Sequence, residues 1–431
     1  MTMRVRAISI MMLTLAMMGL ASCDHYNCSS GENFGSSTCT AGAPGLGGGG
    51  TSGSTTAAFA FAVDTGTSSG GTIDGYTLNT AASTFQATSS YTAPTIPGND
   101  FGTGMAVAQK QYLYAGFAST NQIYGWTIST SGGLTSIGGS PFTASFMSYV
   151  GGGFGTSSVI TNPAGTLLFF ADTLGDAIYV YQIGSGGALT AVAGSPFTVP
   201  FSPVNLTTDG LGSYLYATQA YSNHTGSEVG AYSIGTGASL GVLTPVVGSP
   251  FSLPMWQVAG EPSGKYLIGT TGRNLDLNGG DDNNLYVYAI TQSGTDAGAL
   301  TAVAGSPFAT QYSPQDIAVQ PNTGGDLVYS FGLDDTLLGF NSAEGFSINS
   351  STGALTTVSG SPFANAALGS WGQFDQSGAY LFEFADVYNP GTSVYTYELS
   401  AFDVSSAGLL TQPTTTLALT TGGFWAVTDT Q

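Results

Sequence analysis

The sequence predicts an all-β protein, a seven-bladed propeller with four strands to each blade, and three observations carry that expectation. The eleven residues GALTAVAGSPF occur unchanged at 187–197 and 298–308, with looser copies at 132–142, 240–251 and 353–363. Their serines, Ser140, Ser195, Ser249, Ser306 and Ser361, recur with a period of 54 to 57 residues. Each period holds four short runs rich in β-branched and aromatic residues between Gly, Ser and Asn turns, and no run has a helical apolar stripe. The composition agrees: 7% of residues are charged, 64 are glycine and 12% are aromatic, which suits short strands and tight turns. A hydrophobic content of 42% supplies the core that disorder would lack.

Taken in chain order, residues 1–22 read as a secretory signal. Arg4 and Arg6 precede the apolar run AISIMMLTLAMMGLA, and Leu20-Ala21-Ser22-Cys23 follows. The run is too short and wrongly flanked for a stable membrane span. The last four residues resemble the bacterial lipobox, which implies acylation of Cys23 and a membrane-held protein of the bacterial envelope; an ordinary signal with a chance cysteine is the alternative. Residues 23–56 form a tether ending in APGLGGGGTSGSTT, a flexible spacer. Within it Cys28 and Cys39 either pair in an oxidising compartment or remain free thiols.

The propeller takes 57–431. Units begin near 99, 157, 203, 255, 314 and 367, which makes six blades. AAFAFAVD, TIDGYTL and STFQATSSYTA supply three strands at the start, and GGFWAVTD supplies one at the end. Joined, they complete a seventh blade and remove the free edges of an open array. In this scheme ALTAVAG is an outermost strand, and SPF is the corner leading to the next inner strand, with its Phe between blades. Proline suits a position where a missing N–H falls outside the ladder.

Beyond Arg4 and Arg6 the basic residues are Lys110, Lys265 and Arg273, against 25 acidic ones. That field repels phosphate backbones, so nucleic acid is excluded as a partner and a phosphorylated substrate is disfavoured.

The stretch NPAGTLLFFADTLGDAIYVYQIGSGGALT at 162–190 resembles the repeat of the lactonase-like seven-bladed propellers, the family of 6-phosphogluconolactonase and carboxymuconate-cyclising enzymes. The resemblance lies in the Pro-x-Gly turn, the aromatic second strand, the Asp-bearing loop, the Ile-Tyr-Val-Tyr third strand and the Gly-x-Leu-Thr entry to the fourth, and it covers about 57–431. It implies a propeller and, in members with lactonase activity, a Gly-Pro-Arg-His stretch at the head of an inner strand. The corresponding stretches here are Ser202-Pro203-Val204-Asn205 and Ser313-Pro314-Gln315-Asp316. Asn205 and Asp316 stand where the family has histidine.

Aligning the inner strands on the residue before their turn places Met105, Ser158, Asn205, Gln257, Asp316, Trp371 and Trp425 in a ring near one mouth of the channel. Asn205, Gln257, Asp316, Trp371 and Trp425 form a candidate site for a neutral polar ligand such as a sugar, indoles giving flat apolar faces and amides giving hydrogen bonds. Wedging of the tryptophans between blades is the alternative. Loops between second and third strands open on the same face. There His224 and Glu228 could act as a base and its orienting carboxylate, with Arg273 polarising a lactone carbonyl. Asp276, Asn278, Asp281 and Asp282 have oxygen ligands at a spacing that suits calcium, although the glycine falls in the wrong place for an EF-hand. No other cofactor pattern is present. The missing Arg-His pair favours a monomeric, lipid-anchored binding module for a small polar ligand, a glycan or an envelope protein over a lactone hydrolase with a rearranged site.

Overall fold

The computed structural model describes residues 56–64, 72–79, 84–92, 104–117, 121–144, 159–219, 228–271, 282–321, 327–334, 340–363, 371–389, 394–411, 416–419 and 425–429. All lie within a unit running from Ser54 to Gln431. They form seven antiparallel sheets, and one 3-10 turn, Gly237–Ser239, interrupts the strands. Blade 1 has its inner strand at Gly104–Ala108, blade 2 at Val159–Thr161, blade 3 at Pro203–Thr208, blade 4 at Gln257–Gly260, blade 5 at Ser313–Val319 and blade 6 at Trp371–Phe374. Blade 7 joins the chain's two ends: Trp425–Asp429 pairs with Thr56–Asp64, which pairs with Thr72–Asn79 and then Thr84–Thr92. The predicted closure by one C-terminal and three N-terminal strands is what the structure shows.

In blades 2, 3 and 6 the inner strand ends in a turn capped by its own polar side chain. Asn162 Oδ1 accepts from the N–H of Thr166 and Leu167, Asp209 Oδ1 from Ser213 and Tyr214, and Asp375 Oδ1 from Tyr380. Side-chain acceptors of this kind compete for turn donors that the ladder leaves over. Where the residue at this position is glutamine, its amide reaches the next blade: Gln109 Nε2 donates to Gly165 O and Gln320 Nε2 to Gly378 O.

Hydrophobic clusters fill each seam between blades. Leu167, Phe169 and Val180 of blade 2, for example, meet Leu206, Leu215 and Ala217 of blade 3. The repeated Gly-x-Leu-Thr is part of this joinery. Gly298 has φ +92°, and a Cβ there would stand 2.6 Å from the ring of Tyr214 in the preceding blade. Only glycine accepts both the left-handed conformation and that approach. Alternate blades add a hydrogen bond at the same contact: Tyr114 donates to Gly187 O, Tyr216 to Gly298 O and Tyr329 to Gly408 O.

The outer strand differs from the single run that the sequence suggests. In blade 2 it is split into Leu189–Ala191 and Phe197–Thr198, both paired with Ala177–Ile183. A cis Ser195-Pro196 peptide lies between the halves, and Ser195 Oγ accepts from Val180 N–H at 2.9 Å. The hydroxyl replaces the ladder acceptor where the chain leaves the sheet. Ser140, Ser249, Ser306 and Ser361 make the same bond to Gly125, Ala231, Val287 and Gly345. The phenylalanine after the proline packs, half-buried, against the seam cluster.

Candidate functional site at the channel mouth

Both stretches that align with the family's Gly-Pro-Arg-His begin inner strands, and both contain a bulge. The ladder of blade 3 shifts between Pro203 and Leu206, and that of blade 5 between Pro314 and Asp316. A bulge inserts an unpaired residue and re-aims its neighbours. Proline is the second residue of each stretch, where it gives no N–H to the ladder.

The polar side chains after these prolines reach the next blade. Asn205, 2% exposed, donates through Nδ2 to Trp256 O at 2.7 Å, and Thr218 donates to the same carbonyl at 2.7 Å. Asp316 Oδ2 accepts from Gly372 N–H of blade 6 at 3.0 Å. Gly372 has no room for a side chain, since a Cβ would lie 2.0 Å from the ring of Phe331. Thr173 and Thr270, at the ends of second strands, donate in the same manner to Pro203 O and Pro314 O. A belt of polar bonds therefore ties consecutive blades at the inner radius, near the end where loops between second and third strands open.

Asp316 has an unusual electrostatic state. Burial pushes its carboxyl from an ordinary 3.8 up to about 7, while the N–H groups of Gly372 and Ile317 pull it partly back. Burial also raises the carboxyls of Asp209 and Glu344 against donation from main-chain N–H groups, from Ser213 and Tyr214 in the first case and from Gln311 and Tyr312 in the second.

Of the other ring residues, Gln257 is 2% exposed on the inner strand of blade 4. Trp425 is also 2% exposed and belongs to the cluster between blades 6 and 7, its ring stacked 6.4 Å from Phe384. Trp371 is half-buried, 6.1 Å from Phe384 at 49°. Tyr397 stacks on Phe384 at 6.0 Å, so four aromatic rings share this seam. The wedge role named as the alternative describes Trp425; Trp371 stands at the edge of the seam.

Glu228 opens the third strand of blade 3, half-buried and paired in register with Ser252. His224 and Arg273 lie outside the described residues, as do Cys23, Cys28, Cys39, Asp276, Asn278 and Asp281. Asp282 is described, and its two carboxylate oxygens accept from Asn284 Nδ2 and from the Tyr286 hydroxyl. Among the described residues no group of three or more His, Cys, Asp or Glu side chains is placed to hold a metal ion. No described helix is long and apolar enough to cross a membrane.

Sequence reasoning did not find Gln315 and Gln373. Nε2 of the first and Oε1 of the second are buried without a hydrogen-bond partner, as is Ser313 Oγ. The sequence does carry a signal for Gln373, because Val107, Ile160, Ala259, Ala318 and Val427 occupy its place in other inner strands.

No protein-family model matches the chain, and no curated protein does. Solved structures do. A protein from Bacteroides uniformis provisionally named a 6-phosphogluconolactonase superposes with a TM-score of 0.58 at 14% identity, covering 87% of this chain and 100% of its own. The periplasmic gluconolactonase of Pseudomonas aeruginosa gives 0.57 at 13% identity, over 87% and 99%. A protein from Lactobacillus plantarum gives 0.57 at 15% identity, over 86% and 99%. At these identities the likeness concerns the backbone, and it agrees with the blade count and the repeat. The chain is a seven-bladed propeller of the lactonase-like fold.

Proposed function

We propose that the protein is a lactone hydrolase working at the channel mouth, with Asp316 as its proton acceptor. The carrying observation is the buried carboxyl of Asp316, pushed up to about 7, on a bulge where active members of the resembled family have histidine. A group titrating near neutral pH takes and returns protons efficiently. The Asp316 carboxylate takes a proton from water as the water oxygen bonds to the lactone carbonyl carbon; the ring C–O bond then breaks, and the departing oxygen takes the proton back. Two structural neighbours named as gluconolactonases lend support to this reading. Arg273 is the candidate for polarising the carbonyl, with His224 and Glu228 as a further candidate base and its orienting carboxylate.

The test is hydrolysis of sugar lactones and carboxymuconate lactones by the protein and by Asp316→Asn, His224→Ala and Arg273→Ala. Turnover should fall by about 100-fold or more in Asp316→Asn. Absence of turnover, or an unaffected Asp316→Asn, overturns the reading. A second reading, ligand binding without chemistry, draws on the half-buried Trp371 at the edge of the seam between blades 6 and 7. Lipid anchoring through Cys23 and display in the bacterial envelope as a monomer belong to the same proposal; Cys23→Ala should abolish incorporation of labelled palmitate.

A further inference from the structure

Glu344 is 5% exposed in the third strand of blade 5, Phe340–Ile348, and no step of the proposed reaction uses it. Its carboxylate holds the main chain that leads from blade 4 into blade 5. Both Oε1 and Oε2 accept from Gln311 N–H at 2.9 Å, and Oε1 accepts from Tyr312 N–H at 2.9 Å. Thr310 ties the same segment back to blade 4, its N–H donating to Asn283 O at 2.9 Å and its hydroxyl to Tyr312 O at 2.7 Å. Ser313-Pro314-Gln315-Asp316 follows directly, so the carboxylate grips the chain just ahead of the bulge that carries the candidate proton acceptor.

The fold builds the equivalent bulge of blade 3 without a carboxylate. There the register runs from Leu206 through Ala217 to Gly230, as it runs from Ile317 through Ser330 to Glu344 in blade 5. Phe201 holds the place of Tyr312 and lies over Gly230, where a Cβ would stand 2.7 Å from its ring. An apolar ring therefore anchors the entry to Asn205, and a carboxylate anchors the entry to Asp316. The other blades have Gly125, Tyr179, Tyr286, Ser400 and Gly75 at the place of Glu344. Burying a carboxylate is costly, and apolar groups often replace buried charges without loss of stability. Of the two bulged blades, the one with the costlier anchor is the one whose bulge bears an acid.

We propose that Glu344 is a positioning residue for Asp316, fixing through Gln311 and Tyr312 the entry to the bulge and so the carboxyl that meets Gly372. It does not act by touching Asp316. Neighbouring residues of a strand face opposite sides of the sheet, and Glu344 shares a row with Ser330 and Ile317, whereas Asp316 shares one with Phe331. Hydrogen bonds to an ionised acceptor are short and strong, which sets the segment more closely than ring packing does. The proposal deepens the hydrolase reading by adding a residue to it; its kinetic consequence rests on that reading, and its structural consequence does not.

The test compares the full chain with Glu344→Gln and with the double variant Glu344→Gly, Tyr312→Phe, which copies the anchor of blade 3. Asp209→Asn, which alters a buried carboxyl in the turn of blade 3, is the control. Amide hydrogen exchange followed by NMR reads the bond from Gly372 to Asp316: in both Glu344 variants Gly372 should exchange about tenfold faster or more, with Ser213 and Tyr214 unchanged. Asp209→Asn should release Ser213 and Tyr214 and leave Gly372 protected. In lactone hydrolysis both Glu344 variants should lower kcat about tenfold or more and leave KM within about twofold, since a small misplacement of a reacting group is costly in rate. A merely structural Glu344 would speed exchange in all blades together, or would be made good by the apolar anchor. Gly372 protected as before in Glu344→Gln, uniform acceleration, or full protection and kcat in the double variant overturns the inference. Release of Gly372 in a chain that shows no lactone turnover removes the hydrolase reading alone, whereas turnover that Asp316→Asn abolishes and Glu344→Gln spares removes this inference alone.

Discussion

Asp316 carries two pH dependences of opposite sign. Hydrolysis needs its ionised form, so kcat/KM is expected to rise with pH through about 7, and that rise should vanish in Asp316→Asn. Stability moves the other way. Between the ordinary 3.8 and about 7 the folded chain holds a proton that the unfolded chain has released, so this residue's contribution is greatest at low pH and is lost as pH rises towards the folded value. The loss is on the order of 4 kcal/mol. Asp316→Asn keeps an acceptor for Gly372 N–H and should flatten the fall in melting temperature between pH 5 and pH 8; an unchanged slope would mean that the carboxyl ionises normally. A second test at this scale uses adjacent glycines. Gly186 and Gly187 have φ values of +82° and +83°, but a Cβ on the first meets nothing within 4 Å, while on the second it meets Ile137 at 2.6 Å and Tyr112 at 2.7 Å. Gly186→Ala should cost about 1–2 kcal/mol for the left-handed conformation alone, and Gly187→Ala about 1–3 kcal/mol more for overpacking. Urea midpoints of the two variants measure the difference.

At the scale of the element, the serine of the SPF corner gives a strand its missing acceptor. Ser195→Ala deletes the bond to Val180 N–H and should destabilise the chain by about 1 kcal/mol, with Ser306→Ala costing a similar amount through Val287. The two corners lie two blades apart, so the double variant should be additive within about 0.5 kcal/mol in urea unfolding. The period of these corners made the blades legible in the sequence, because every copy solves the same local problem with the same residues. The split of the outer strand was not legible: its second half, Phe197–Thr198, is two residues long and gives no alternation to read. The bulges were hidden as well, since one unpaired residue after Pro203 or Pro314 leaves no compositional trace. Polar positions at the mouth could be counted off the inner strands, but not what they touch. Asn205 meets a carbonyl 51 residues away and Asp316 an amide 56 residues away, contacts that exist only once blades are stacked.

At the scale of the molecule, five residues hold the ring shut. Trp425–Asp429 lies in register with Ala58–Ala62, from Ala58 opposite Asp429 to Ala62 opposite Trp425. Trp425 packs in the seam with blade 6, and Ala426 belongs to the cluster that holds Met105 and Phe117 of blade 1. One short strand thus contacts both neighbours of its own blade, and its loss would uncover a sheet edge along Thr56–Asp64 as well as two seams. Exposed strand edges seek other partners, so a chain ending at residue 421 is expected to melt well below the intact protein and to self-associate. A peptide spanning residues 420–431 supplies the same backbone and side chains in trans, and strand addition to a free edge is an established mode of peptide binding. Its addition should raise the melting temperature of the shortened chain in proportion to the logarithm of peptide concentration once the site is saturated. The same peptide with Trp425→Ala should rescue less, because the seam with blade 6 stays unfilled. A shortened chain that melts like the intact one would show that the ring does not depend on this closure, and a peptide without effect would place the defect elsewhere than the vacant inner strand.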